Sequence, residues 1–419
     1  MQREARLSAS LTAILNDMGD WDPPPDVSPE QPVIPLHIGI PTPDLLPLDA
    51  MQDIANQVLQ DRDPSTWAYG FGPGYLPLRT ALAAHWSAKF GTTNDPDYFQ
   101  ITQGSSGALD MLGRSLLNPG DVVFMEYPCY MGTYRNFRAL GAQIEFIRSD
   151  SSGIDVEHLR ERVLALTSAG QVLKFVYTIA EFSNPTGARL SSAKRRALLE
   201  LSSEFDLLVI DDAAYAELDF DTAPSSPSTD YPFLGRDASS HRVISVGSLS
   251  KTLATGLRIG WIHASPKWQQ LFGQMRFAMG LNQFSVRLVS GLFASGAYAR
   301  HVDQMKQHYC DRMTELHDAV LKHCGDKIRV IKPLGGFYLW VQVPTDHVTV
   351  WKTAYRKGIH VIPGRNFRPT SGAPEPPKDY LRLAYPFTPI EDFDEAGRRL
   401  NAAIVDAMKS DQDSATAHK

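Results

Sequence analysis

Between about residue 50 and residue 300, short apolar runs alternate with longer amphipathic stretches. Seven runs are β-rich: "YFQIT", "VVFME", "QIEFI", "LKFVYT", "DLLVID", "RVISVG" and "RIGWI". Their apolar residues are largely continuous, the pattern of strands buried on both faces. Helical stretches separate many of them, as in "SSGALDMLGRSLL" and "SAKRRALLELSSEF". This alternation predicts an α/β fold with a large domain, whose mostly parallel seven-stranded sheet is flanked by helices. In such sheets ligands sit beyond the carboxyl ends of the strands. The loops after these runs are therefore where chemistry is sought.

The pattern changes on both sides of this region. Residues 7–18 predict a short amphipathic helix. The stretch "WDPPPDVSPEQPVIP" cannot be helical, because proline lacks the N–H and clashes with the preceding turn. It predicts an extended arm, packed on the body of the chain or on a partner. After about residue 285 a long helical stretch is expected, with a break at Gly296. The runs "IRVIKPLGGFYLWVQV", "IHVIPG" and "YLRLAY", followed by a last helix, predict a small α+β domain. The expected organisation is an arm with part of the small domain over 1–49, the large domain over 50–300 and the small C-terminal domain over 301–408. A polar, disordered tail is expected over 409–419.

Composition narrows the class. The chain has 419 residues, 43% hydrophobic and 21% charged, which suits a globular protein of about two domains. Its net charge of −6 argues against nucleic acid as a partner. No apolar run is long enough to span a bilayer, and "MQREARLSASLTAI" lacks the apolar core of a secretion signal. Cys129, Cys310 and Cys324 have no metal-ligand spacing, and so sparse a set suits a reducing cytoplasm. The expectation is a cytoplasmic protein with no membrane, nucleic acid or metal partner.

Six loops or strands carry candidate chemistry. In "GSLSKTLATGLR", Ser248, Ser250 and Arg258 are potential anion donors around Lys251. Lys251 is either a surface lysine on a serine-rich turn or an amine that bonds to a carbonyl. In "ITQGSSGALD", Ser105 and Ser106 either cap a helix or bring its free N–H groups to a phosphate. Asp211 and Asp212 end a strand that should be buried, so one should meet a cation or cap a helix, with Tyr215 nearby. Asn184 in "SNPTG" is either a plain turn residue or a ligand contact at the same edge. In "MEYPCY", Tyr127 and Tyr130 are core aromatics or a platform for a planar ring. Arg382, in the apolar strand "YLRLAY", seeks a carboxylate from the protein or from a substrate.

Taken in order, "YGFGPGYLPLR", "ITQGSSGALD", "PGDVVFMEYPCY", "SNPTG", "DDAAYAEL", "GSLSKTLATGLRIGW", "GGFYLW", "PGRNF" and "LRLAY" resemble the fold-type I enzymes that use pyridoxal 5′-phosphate, in particular class I/II aminotransferases. The resemblance runs from about Ile38 to about Leu400. It implies that Lys251 carries the cofactor as a Schiff base and shuttles the substrate α-proton. Asp212 would pair with the ring nitrogen, and Tyr215 and Asn184 would bond the phenolic oxygen. Tyr130 would stack on the ring. Ser105, Ser106, Ser248, Ser250 and Arg258 would hold the phosphate, joined by Tyr69 of the neighbouring subunit. Arg382 would bind the substrate α-carboxylate, and Gly39 would line the cavity. A homodimer with sites at the interface is implied, as is exchange between an L-amino acid and a 2-oxo acid.

The same constellation also serves elimination, replacement, oxidation or carbon–carbon bond formation. Ser183, Ala213 and Thr255 depart from residues common in relatives, which leaves the subgroup open. A cofactor-binding regulator is a rival; about forty proline-rich residues before "HIGI" are too few for a winged helix. Ile40, Trp67, Tyr75 and Tyr127 are candidate specificity residues that suggest an aromatic or long aliphatic side chain, while Arg365 in "PGRNF" is either a solvated loop arginine or a site for a second carboxylate.

Overall fold

A computed structural model describes residues 7–17, 25, 28–220, 241–276, 280–369 and 379–417. Part of the proline-rich arm lies outside them. The chain opens with helices α1 (Ala9–Asp17), α2 (Leu48–Gln60) and α3 (Leu76–Phe90). Then follow β1 (Phe99–Thr102), α4 (Gly104–Leu116), β2 (Val122–Tyr127), α5 (Met131–Ala139), β3 (Gln143–Asp150) and β4 (Gly153–Ile154). Next come α6 (Val156–Ser168), β5 (Leu173–Thr178), α7 (Ser192–Phe205), β6 (Leu208–Asp212), β7 (Val243–Ser248) and β8 (Gly260–His263). Helices α8 (Pro266–Gln274), α9 (Gln283–Ala294) and α10 (Ala297–Cys324) lead to β9 (Arg329–Val330) and β10 (Tyr338–Gln342). The chain closes with α11 (His347–Arg356), β11 (Ile362–Pro363), β12 (Tyr380–Ala384) and α12 (Phe393–Ala417).

The large sheet has the order β1-β8-β7-β6-β5-β2-β3-β4. It therefore has eight strands where seven were expected. All seven expected runs are present, and the eighth is the two-residue β4, which folds back antiparallel on β3. So short a strand carries no periodicity to read. Strands β3, β2, β5, β6 and β7 are parallel, and β8 alone separates β1 from them. Two antiparallel pairings return β1 to the common direction, so the carboxyl ends of β1, β2, β5, β6 and β7 share one edge. Strands β2 and β7 are buried at every position, as continuous apolar runs require. Helices take their starts from short polar side chains: Asp155 caps α6 and Ser191 caps α7.

The second sheet, β11-β12-β10-β9, is wholly antiparallel. The described end of the arm docks on the body of its own chain. Ile34 bridges Ile359, and its N–H donates to the Gly358 carbonyl at 2.7 Å. Gly296 makes the expected break, taking φ 70° between α9 and α10. Helix α12 continues to Ala417 where a disordered tail was expected, because its last residues, though polar, include no proline or glycine. Among the described residues no helix is long and apolar enough to cross a membrane.

Candidate active site

At the shared strand edge lies a cavity of about 290 Å³. The first turn of α4, directly after β1, brings Ser105 and Ser106 to its wall, β2 is followed there by Tyr130, and β5 by Asn184. Asp212 ends β6, Tyr215 follows it, and the loop after β7 supplies Ser250, Lys251 and Arg258. Gly39 comes from the segment leading out of the arm, and Arg382 reaches in from β12 of the other sheet.

Charge around this cavity is unbalanced. Lys251, Arg258 and Arg382 line it, against the single carboxylate of Asp212. Among the described residues the bonds of these cations go to neutral acceptors. Lys251 Nζ donates to the Gly39 carbonyl at 2.8 Å. Arg258 donates to Ser250 Oγ at 3.4 Å and to the carbonyls of Thr255 and Gln103 at 3.2 and 3.4 Å. Arg382 Nη1 donates to Asn184 Oδ1 at 2.9 Å and Nη2 to the His37 carbonyl at 3.1 Å. The buried Arg382 Nε has no partner. Three cations held this way fit a ligand with two anionic groups, one at each end.

One end is shaped for a phosphate. Helix α4 starts without a side-chain cap, so its first N–H groups are free. Gly104 has φ +69°, and a Cβ there would crowd Arg258 Nη2. A Cβ at Gly260 would meet the Gly104 backbone at 2.6 Å. Two glycines thus let strand, helix start and guanidinium converge.

Asp212 lies at the bottom, accepting from the Tyr177 hydroxyl at 2.9 Å and the Ala214 N–H at 3.3 Å. Tyr177 in turn accepts from Thr133 Oγ1 at 3.0 Å. Burial pushes the Asp212 carboxyl up to about 6, although Tyr177, Ala214 and Lys251 pull the other way. A buried acid so placed gains from a cationic partner in the cavity. In the ligand-free chain the native state therefore holds this proton more tightly than the unfolded state. Stability falls as pH rises from about 4 through about 6. Glu126 and Asp211, both raised to about 7 by burial, extend the fall upward. Thermal melts of the ligand-free chain should drop over this range. Asp212→Asn should remove about 3 kcal/mol of that loss, the equivalent of about two pH units; an unchanged slope would exclude Asp212 as its source.

Two sequence candidates lie off the cavity. Ser248 is buried, and its hydroxyl turns back to accept from the Ser250 N–H at 3.1 Å, so it shapes the loop. Tyr69 is 69% exposed beside Phe71, outside the cavity wall of its own chain. Of the specificity candidates, none lines the cavity. Tyr75 binds Arg287, Tyr127 packs on Phe146, Trp67 stacks on Phe284, and Arg365 lies over Trp351. Ile40 is exposed next to Gly39. Sequence reasoning missed Tyr338, which lines the cavity from β10, and Tyr177 beneath Asp212. Both sit in apolar strand runs, where a tyrosine reads as core.

The profile of aminotransferase class I and II matches residues 31–400. The aromatic-amino-acid aminotransferase 1 of Thermococcus litoralis is 31% identical over 382 residues, 90% of this chain and 89% of that protein. The 2-aminoadipate transaminase of Thermus thermophilus is 30% identical, over 87% of this chain and 88% of its own. An uncharacterized HTH-type transcriptional regulator of Bacillus subtilis, YdfD, is 29% identical over 89% of this chain and 74% of its own length. Among solved structures, a multiple substrate aminotransferase from Thermococcus profundus superimposes with a TM-score of 0.83 at 28% identity, covering 98% of this chain and all of that one. The anion-shaped cleft and these likenesses agree: the chain belongs to the class I and II aminotransferases.

Proposed function

We propose that the protein uses pyridoxal 5′-phosphate to move an amino group between an L-amino acid and a 2-oxo acid. The observation that carries this is the set of three cations around one buried carboxylate in a single cavity. When bound, the cofactor supplies an aldehyde that reacts with amines and a protonated ring that accepts electrons from the substrate α-carbon.

Each residue has a role that its setting supports. Lys251 would hold the aldehyde carbon covalently and, once displaced by substrate, take and return the α-proton at Nζ. Asp212, oriented by Tyr177, would keep the ring nitrogen protonated. The N–H groups of Ser105 and Ser106, with Ser250 and Arg258, would hold the phosphate. Tyr130 would cover the ring face. Asn184 Oδ1 accepts from Arg382, which leaves the Asn184 amide N–H for the phenolic oxygen, beside Tyr215. Arg382 would grip the α-carboxylate through the guanidinium fork.

An aromatic substrate is favoured by the likeness to the aromatic-amino-acid enzyme, and a long side chain by the likeness to the 2-aminoadipate enzyme, whose named substrate ends in a second carboxylate. A panel of phenylalanine, tyrosine, leucine and 2-aminoadipate with 2-oxoglutarate tests the reading. Equal amounts of new 2-oxo acid and glutamate are expected. A product that keeps its nitrogen while exchanging a side-chain group would point to replacement, and a 2-oxo acid released with ammonia in place of glutamate to elimination; either would overturn transamination.

A homodimer is part of the proposal. Trp67, Tyr69 and Phe71, at 69%, 69% and 71% exposure, form an aromatic surface that a second copy would cover. Sedimentation as a fully active monomer would exclude it. We also propose a cytoplasmic setting, which the three free cysteines suit. Recovery in a secreted fraction would speak against that.

A further inference from the structure

We propose that Tyr338 is a positioning residue of this site: its hydroxyl donates to the Tyr215 hydroxyl and so aims the Tyr215 proton into the cavity. The inference rests on the reading of the site given above. The two phenol oxygens are 3.0 Å apart, and both residues are buried. Among the described residues Tyr215 is the hydrogen-bond partner of Tyr338.

A phenol has one proton to donate. In this pair one hydroxyl donates and the other accepts. If Tyr215 donated to Tyr338, it would show the cavity a lone pair, which repels an anionic oxygen. If Tyr338 donates, the Tyr215 proton is free to meet that oxygen. The surroundings favour the second arrangement. The Arg382 guanidinium lies over the Tyr338 ring, 4.3 Å from its centroid. Burial raises the Tyr338 hydroxyl, but the charges of Arg382 and Lys251 act to lower it. The more acidic phenol is the better donor, and a proton given to Tyr215 strengthens the bond Tyr215 makes in turn.

Gly39 completes the device. A Cβ there would collide with the Tyr338 hydroxyl, and the Gly39 carbonyl holds Lys251 Nζ at 2.8 Å. The absence of a side chain is thus what seats the hydroxyl against Tyr215. The titratable groups that face Tyr338 are Tyr215, Lys251, Arg382, Tyr130 and Tyr385.

The test is a pH titration of the visible absorbance of the pyridoxal-phosphate-loaded protein. A donor to the phenolic oxygen favours the deprotonated form, so weakening that donor raises the titration midpoint. Tyr338→Phe should raise it by about one pH unit, a tenfold change in the proton equilibrium. In a Tyr215→Phe background the same substitution should move it by less than about 0.3 unit, since the two act through one bond. Gly39→Ala, which keeps both phenols but displaces one, should shift the midpoint in the same direction; it serves if Tyr338→Phe does not fold. A midpoint unmoved in Tyr338→Phe, or moved equally in both backgrounds, would overturn the inference alone. A wild-type protein with no titrating visible band would overturn the cofactor reading and this inference with it.

Discussion

Replacing Lys251 by alanine is expected to lower turnover by about 10⁴-fold or more. The variant should still bind pyridoxal phosphate, because Arg258, Asp212 and the start of α4 are untouched. Borohydride reduction followed by peptide mass analysis separates the two effects. In the wild type the cofactor should be fixed to the peptide that contains Lys251, and in the variant to none. The expectation follows from the setting of the amine. Among the described residues Lys251 Nζ has the Gly39 carbonyl as its hydrogen-bond partner and forms no ion pair with an acid, so it is free to leave that partner. Full turnover in Lys251→Ala would show that another base acts.

The second large effect is expected at Arg382. Its guanidinium is buried, is bonded to an amide and a carbonyl, and keeps an unpartnered Nε. Truncation of one partner of a desolvated charge pair costs about 2–5 kcal/mol. Arg382→Ala should therefore lower kcat/KM for an amino acid by about 10³-fold, mostly through KM, within that range. Arg382→Lys should recover little, because an ammonium cannot present two parallel N–H groups. The control is an amine that lacks the carboxylate, such as phenylethylamine beside phenylalanine. Its slow reaction should be nearly indifferent to the substitution. An equal loss for both would mean that Arg382 serves the fold and not the carboxylate.

Much of this site is legible in the sequence because parallel strands have a common direction. Once "LKFVYT", "DLLVID" and "RVISVG" are read as buried parallel strands, their following loops must meet at one edge. Asn184, Asp212 and Lys251 are therefore neighbours before any coordinate is known. Ser248 shows where that inference weakens. Its place at a strand end is compatible with a phosphate contact, yet its hydroxyl folds back on the Ser250 N–H two residues away. Residue type and spacing do not choose between two acceptable donors. Tyr69 shows a second weakness, since its expected partner belongs to another copy of the chain.

Tyr338 and Tyr177 were hidden for a different reason. A tyrosine in an apolar strand has the same local signature whether its hydroxyl is idle or engaged. What distinguishes Tyr177 is that β5 pairs with β6 in a register that places its hydroxyl 2.9 Å from Asp212. What distinguishes Tyr338 is the meeting of two sheets. Strand β10 pairs with β12 so that Trp340 faces Arg382, and this sets Arg382 against the ring of Tyr338 two residues back.

Local period and turn chemistry, which any short window of the chain contains, were enough for the seven longer strands of the large sheet, many helices and the loops that follow those strands. Which cation lacks a counter-charge, and which hydroxyl gives its proton to which, was decided by the tertiary structure alone. Those answers depend on distances between segments far apart in the chain, and on desolvation that makes an unpaired charge or a misdirected proton costly.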